Sequence, residues 1–164
     1  MGAKILSTNL AFSSDYLIKS YDFYSELYKL LDNVKNTVRV AVFLIDVDAL
    51  KIFEEKVLKG ENGFGNGGTF KLICDKSIDN ETRNYLEELK SKYPGRFHYK
   101  IWNDKTSFHS KFIILDDWGV IVGSHNLKKR SMKDNFEISV LLEDKELIEK
   151  LTDIFEYLFK RKTV

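Results

Sequence analysis

The chain has 164 residues and a formal net charge of +1, with 43% apolar and 31% charged residues. This fits one soluble globular domain over residues 1–164 and excludes strong global steering of a polyanion, while leaving room for a local basic patch. A lone cysteine, Cys74, excludes an internal disulfide. No stretch approaches the ~18 apolar residues of a membrane span. The N-terminal segment MGAKILSTNLAFSSD lacks the apolar run of a signal peptide, and Leu6 stands where a myristoylation signal needs Ser or Thr. A cytoplasmic protein without a membrane anchor is expected.

Helical and strand patterns alternate along the chain. Leu17, Tyr21, Tyr24, Leu27, Leu31 and Val34 recur at helical spacing and predict a helix from Asp15 to about Asn33, with Ser13, Ser14 or Asp15 as caps. Val38 to Asp46 is a nearly continuous apolar run, suited to a strand covered on both faces. Ala49 to Lys59 is predicted helical and leads into the segment ENGFGNGG. Five glycines within residues 60–68 suit a flexible connection; the segment matches no phosphate-binding fingerprint.

Thr69 to Cys74 is the next predicted strand, with Cys74 as a small buried hydrophobe. Asp79 to Tyr93 follows as a helix stopped by Pro94-Gly95. Phe97 to Trp102, Phe108 to Leu115, Val120 to Gly123 and Phe136 to Leu142 read as strands. A last helix starts near Asp144 and carries Leu147, Leu151, Ile154, Leu158 and Phe159 on one face. The expected fold class is α/β, with one mixed β-sheet sandwiched between helices.

The chemistry concentrates between Phe108 and Glu137. On a strand, His109 and Lys111 share a face about 7 Å apart, while Phe108, Phe112 and Ile114 face the opposite way. A His and a Lys side by side on a largely apolar strand are costly unless paired or solvated. Gly123-Ser124-His125-Asn126 offers backbone N–H groups, a hydroxyl and an amide that suit phosphate oxygens. Glu137, flanked by apolar residues, needs a cationic or N–H partner, and His109 is the natural candidate.

Together these residues spell His-x-Lys-x4-Asp-x6-Gly-Ser-x-Asn, with a Glu eleven residues later. The pattern resembles the signature of the phospholipase D superfamily over Phe108 to Glu137. That resemblance implies a phospholipase D-like α-β-α fold and a metal-independent phosphodiesterase needing no cofactor. It implies His109 as nucleophile, or as general acid in a second copy. Lys111 and Asn126 would bind non-bridging phosphate oxygens with support from Ser124, and Glu137 would accept a hydrogen bond from the far nitrogen of His109. Asp116 is expected to be structural and to pair locally.

In-line displacement requires an acid opposite the nucleophile, and one imidazole cannot occupy both sides of a phosphorus. The motif occurs once in this chain, so a symmetric homodimer is expected. Small single-motif members of the superfamily look like this, with nucleases prominent among them. An endonuclease acting on DNA or RNA through a covalent phosphohistidine is therefore the leading expectation. The alternatives are a phospholipid hydrolase or phosphatidyltransferase, and the cleavage domain of a larger restriction or repair enzyme.

Lys128, Lys129, Arg130 and Lys133 follow the motif and suit contacts to a nucleic-acid backbone. Lys160, Arg161 and Lys162 complement the dipole of the last helix. A zinc site built from His109, Asp116 and His125 follows no known spacing. His98 reads as structural. Trp102 and Phe108 are either core residues or base-stacking groups at a cleft rim.

Overall fold

A computed structural model describes residues 2–8, 21–59, 67–128 and 135–162. One eight-stranded mixed sheet runs through it in the order β2-β1-β8-β7-β6-β3-β4-β5. The strands are β1 (Ala3–Thr8), β2 (Tyr21–Asp22), β3 (Thr37–Val42), β4 (Thr69–Asp75), β5 (Phe97–Trp102), β6 (Phe112–Leu115), β7 (Gly119–Gly123) and β8 (Glu137–Leu142). The helices are α1 (Phe23–Leu31), α2 (Val47–Phe53), α3 (Asn80–Lys92) and α4 (Lys145–Lys160). A π-helical turn, Glu54–Leu58, extends α2. Strands β3, β4 and β5 run parallel, whereas β6 lies antiparallel to β3.

The sandwich follows from which faces are apolar. Phe23, Leu27, Leu50, Phe53, Leu86 and Leu89 from α1, α2 and α3 pack on one side of the sheet. Ile148 and Phe155 of α4 cover Ala41, Ile73, Ile114 and Val120 on the other. Cys74 is fully buried, as expected of a small hydrophobe, and burial pushes its thiol up to about 12. Each helix starts on an aspartate whose carboxylate accepts an N–H three residues on: Asp22 from Ser25, Asp46 from Ala49, Asp79 from Thr82 and Asp144 from Leu147.

Several boundaries differ from the sequence reading. The first helix begins at Phe23, because Tyr21 and Asp22 pair with Leu6 and Ser7; Ser13, Ser14 and Asp15 lie outside the described residues. Strand β1 was hidden in Ala3–Thr8, whose only large apolar residues are Ile5 and Leu6; its pairing with β8 defines it. The run Val38–Asp46 leaves the ladder after Val42, because the Leu44 and Asp46 N–H groups turn to Asn126 and Leu127. In α4 the deeply buried residues are Ile148 and Phe155, while Ile154 is 49% exposed. Of the glycine-rich segment, 60–66 lie outside the described residues. Gly67 sits at φ 67°, where a side chain would be strained and would meet Arg96.

Candidate active site

The site lies where β3, β4 and β5 end and β6 and β8 begin, beside the seam at which antiparallel β6 meets the parallel set β3, β4 and β5. In open α/β sheets ligands bind outside the carboxyl ends of the parallel strands, and β3, β4 and β5 end here. The predicted strand Phe108–Leu115 is paired only from Phe112 onward. The Phe108 N–H instead donates to the Asp75 carboxylate at 2.7 Å, so His109 and Ser110 stand outside the ladder and are exposed. Phe112 and Ile114 are buried as expected, but Ile113 and Leu115 are too, since helices cover both faces.

His109 and Lys111 meet closely. The Lys111 ammonium lies 3.1 Å from the His109 Nδ1 and donates to the His109 carbonyl oxygen at 2.9 Å. Phe43, just past β3, carries both groups. Its ring centroid is 4.7 Å from that of His109 and 5.8 Å from the Lys111 ammonium. Burial pulls the Lys111 pKa below its ordinary value, with the charge of Glu137 acting the other way. The expected hydrogen bond between His109 and Glu137 is not formed among the described residues. Lys111 occupies one imidazole nitrogen, and Glu137 acts on Lys111 through its charge.

The Gly-Ser-x-Asn segment leaves β7. A β-carbon at Gly123 would collide with Ser139 and with the Ile138 carbonyl, so only glycine lets β7 and β8 approach here. Ser124 is occupied rather than free. Its backbone N–H donates to the Ile138 carbonyl at 3.0 Å, and its hydroxyl engages both the N–H and the carbonyl of Ile138 at 3.1 and 3.2 Å. The Asn126 Oδ1 accepts the Leu44 N–H at 3.1 Å. That bond assigns the oxygen of the amide and leaves its NH2 as the donating end.

Asp116 sits at the opposite end of β6 and serves the backbone. Its carboxylate accepts the N–H groups of Lys35, Asn36 and Thr37 at 2.7, 2.9 and 2.7 Å. Its partners are about eighty positions away rather than local. Its φ of 48° lies in the left-handed region, which Asp tolerates better than most side chains.

His125 points into the core. It stacks on Phe23 with centroids 3.9 Å apart, and its Nδ1 lies 2.6 Å from the Ser139 hydroxyl. Its Nε2 is buried without a hydrogen-bond partner among the described residues, and burial pushes its pKa down to about 4. A metal shared by His109, Asp116 and His125 therefore has no geometric basis. His98 bonds the Gly95 carbonyl oxygen at 3.1 Å, as a structural residue would. Trp102 and Phe108 are buried against each other at 5.3 Å and form core rather than a stacking rim. Lys128 is half-buried; Lys129, Arg130 and Lys133 lie outside the described residues.

Two site residues escaped the sequence reading. Phe43 looked like an ordinary member of an apolar strand. Asp75 closes the apolar run Thr69–Asp75, and a carboxylate at the end of a buried strand was the available signal.

A family model described as cardiolipin synthase, PLD-like domain, matches residues 27–159. The chain belongs to the phospholipase D superfamily. Members of this superfamily act on phosphodiester bonds. The superfamily fold is also seen in Nuc of Salmonella typhimurium, a phospholipase D family member, with a TM-score of 0.69 and 16% identity, covering 94% of this chain and 91% of that one. NucT of Helicobacter pylori gives a TM-score of 0.67 and 17% identity, covering 95% of each chain. Phospholipase D2 of Bos taurus is 34% identical over 83 residues, 49% of this chain. The chain spans 9% of the length of that relative. Among the described residues no helix of this phospholipase D-like chain is long and apolar enough to cross a membrane.

Proposed function

We propose that the chain is a metal-independent endonuclease that cleaves DNA or RNA through a phosphohistidine, with one active site built by two copies. The observation that carries this reading is the exposed His109, held against Lys111 at the open strand ends. The size of the related folds adds support. Nuc and NucT match this chain over nearly their whole lengths, whereas the bovine phospholipase D2 is matched over a small part.

An incoming phosphodiester offers anionic oxygens, which are stronger acceptors for an ammonium than an imidazole nitrogen. Lys111 would turn to the phosphate together with the Asn126 NH2, freeing His109. The imidazole then attacks phosphorus and forms a P–N bond as the P–O bond to the leaving group breaks. A second copy's His109 gives that oxygen its proton and afterwards takes one from the water that cleaves the P–N bond. Glu137 would balance the positive charge that grows on the imidazole. Asp116 would hold the frame rather than take part in the chemistry, and Ser124 would hold the β7–β8 junction. Lys128, Lys129, Arg130 and Lys133 remain the candidates for backbone contacts.

A second copy needs a surface to meet. Ile5 and Val122, aligned on either side of Val140, and Ile138 form an exposed apolar strip with Phe136 at its end. The strip reaches the residues next to Ser124 and Glu137, and exposed apolar strips of this kind favour association.

A phospholipid hydrolase or phosphatidyltransferase is the second reading, favoured by the family model and by the bovine relative. Pure protein incubated in chelator with labelled single- and double-stranded DNA and RNA, and with phospholipid vesicles, separates the two. Cleavage of nucleic acid without headgroup release, lost in His109→Ala, is expected, with the active species sedimenting as a dimer. Headgroup release alone, or unchanged cleavage by His109→Ala, defeats the nuclease reading.

A further inference from the structure

We infer that Asp75 is a positioning residue for His109, holding both sides of the imidazole's seat from beneath. The inference rests on the proposed reading of His109 as the reacting group. Asp75 closes β4 and is 0% exposed. Its backbone N–H donates to the Phe43 carbonyl at 3.1 Å. One carboxylate oxygen accepts the Phe108 N–H at 2.7 Å. The other accepts the Ser77 N–H at 3.0 Å and the Ser77 hydroxyl at 2.7 Å.

Phe43 and Phe108 flank the imidazole, which Lys111 also contacts. Phe43 supplies the ring against which it packs, and Phe108 is its neighbour in the chain. Among the described residues His109 has no ladder partner, so the bond to Asp75 is the last backbone anchor before it. The chain between β5 and that anchor is tied to the same corner. The Lys76 N–H donates to the Trp102 carbonyl at 3.1 Å, and its ammonium donates to the Asp104 carbonyl at 2.8 Å.

Three donors converge on the carboxylate, so the position calls for a group that only accepts. Burial would raise its pKa, but the Ser77 hydroxyl, the Phe108 and Ser77 N–H groups and the Lys76 charge hold it below its ordinary value. Asparagine would turn an NH2 toward one of these donors and release either Phe108 or Ser77. The competing account makes Asp75 a turn former that merely ends β4 through Ser77. Ser77→Ala breaks that half alone and leaves Phe108 bound.

The test compares wild type, Asp75→Asn and Ser77→Ala, using hydrolysis of bis(p-nitrophenyl) phosphate together with NMR of the free protein. For Asp75→Asn, kcat is expected to fall about 10–100-fold with KM within about twofold, the scale of a misplaced reacting group. Its Phe108 amide should exchange faster, and the His109–Phe43 ring contact should disappear. Ser77→Ala should retain kcat, the slow Phe108 amide and the ring contact. If Asp75→Asn does not fold or keeps the Phe108 N–H bound, replacing the Phe108 amide by an ester removes that N–H alone and should give the same losses. Wild-type kcat and an intact ring contact in the ester, or in an Asp75→Asn whose Phe108 amide exchanges faster, overturn the inference, as does an equal loss in Ser77→Ala. A wild type that hydrolyses no phosphodiester defeats the proposed function, while amide exchange and ring contact still decide the role of Asp75.

Discussion

The Lys111 ammonium bridges the His109 Nδ1 at 3.1 Å and the His109 carbonyl oxygen at 2.9 Å. An ammonium can only donate, so this contact occupies an imidazole lone pair in the free chain. Phosphate must draw Lys111 away before the pair can act as proposed.

Lys111→Met keeps the apolar stem over Phe43 and removes the charge. Its kcat on a phosphodiester is expected to fall about 10²–10³-fold, the usual cost of losing one preorganised group that stabilises developing charge. Orthovanadate titrated into the wild type should shift the His109 ring resonances, and the same titration of the variant should leave them in place.

Asn126 separates binding from architecture. Asn126→Asp retains an oxygen for the Leu44 N–H but replaces the NH2 by a second anionic oxygen. Thermal stability should change by less than about 1 kcal/mol, whereas kcat should fall at least about 100-fold. Asn126→Ala should lose activity and also roughly 1–3 kcal/mol, because the Leu44 N–H loses its acceptor. Denaturant melts and rate measurements on both variants check this.

Asp116 is expected to matter for stability alone. Asp116→Ala strands three N–H groups and places alanine at φ 48°, which together should cost roughly 2–4 kcal/mol. Asp116→Asn keeps an acceptor and tolerates that backbone, so it should cost about half as much. The folded fraction of each variant should retain wild-type kcat, as measured below its melting transition.

His125 makes stability depend on pH. Burial lowers its pKa from the ordinary 6.5 to about 4, while the charge of Asp22 acts the other way. Between these values the unfolded chain binds the proton and the folded chain does not. The contribution is complete above about 6.5 and is lost as the pH falls toward 4, by at most about 3 kcal/mol. His125→Phe keeps a ring on Phe23 and removes the titration. The drop in melting temperature between about pH 7.5 and 4.5 should therefore be smaller in the variant than in the wild type.

The strand–helix alternation was readable in the residues because apolar runs such as Thr69–Cys74, and capping aspartates such as Asp79, act over a few positions. Strand β1 was not, because Ala3–Thr8 carries no alternation strong enough to declare itself and depends on β8 for its ladder. The end of β3 is hidden for a related reason. Leu44 and Ile45 are apolar enough for a strand, but their partners, Asn126 and Leu127, lie more than eighty residues away.

By itself the sequence determined the superfamily and the α-β-α class, and it singled out His109, Lys111, Asn126 and Glu137 as candidates, because their spacing is a local property of the chain. Only the tertiary structure decided which groups are free and which are occupied. Ser124 is bound to Ile138, Asp116 to Lys35–Thr37, and His125 lies against Phe23. It also brought Phe43 and Asp75 to His109. Hydrogen bonds and ring contacts depend on distance in space, and a mixed sheet brings strand ends from remote parts of the chain into one corner.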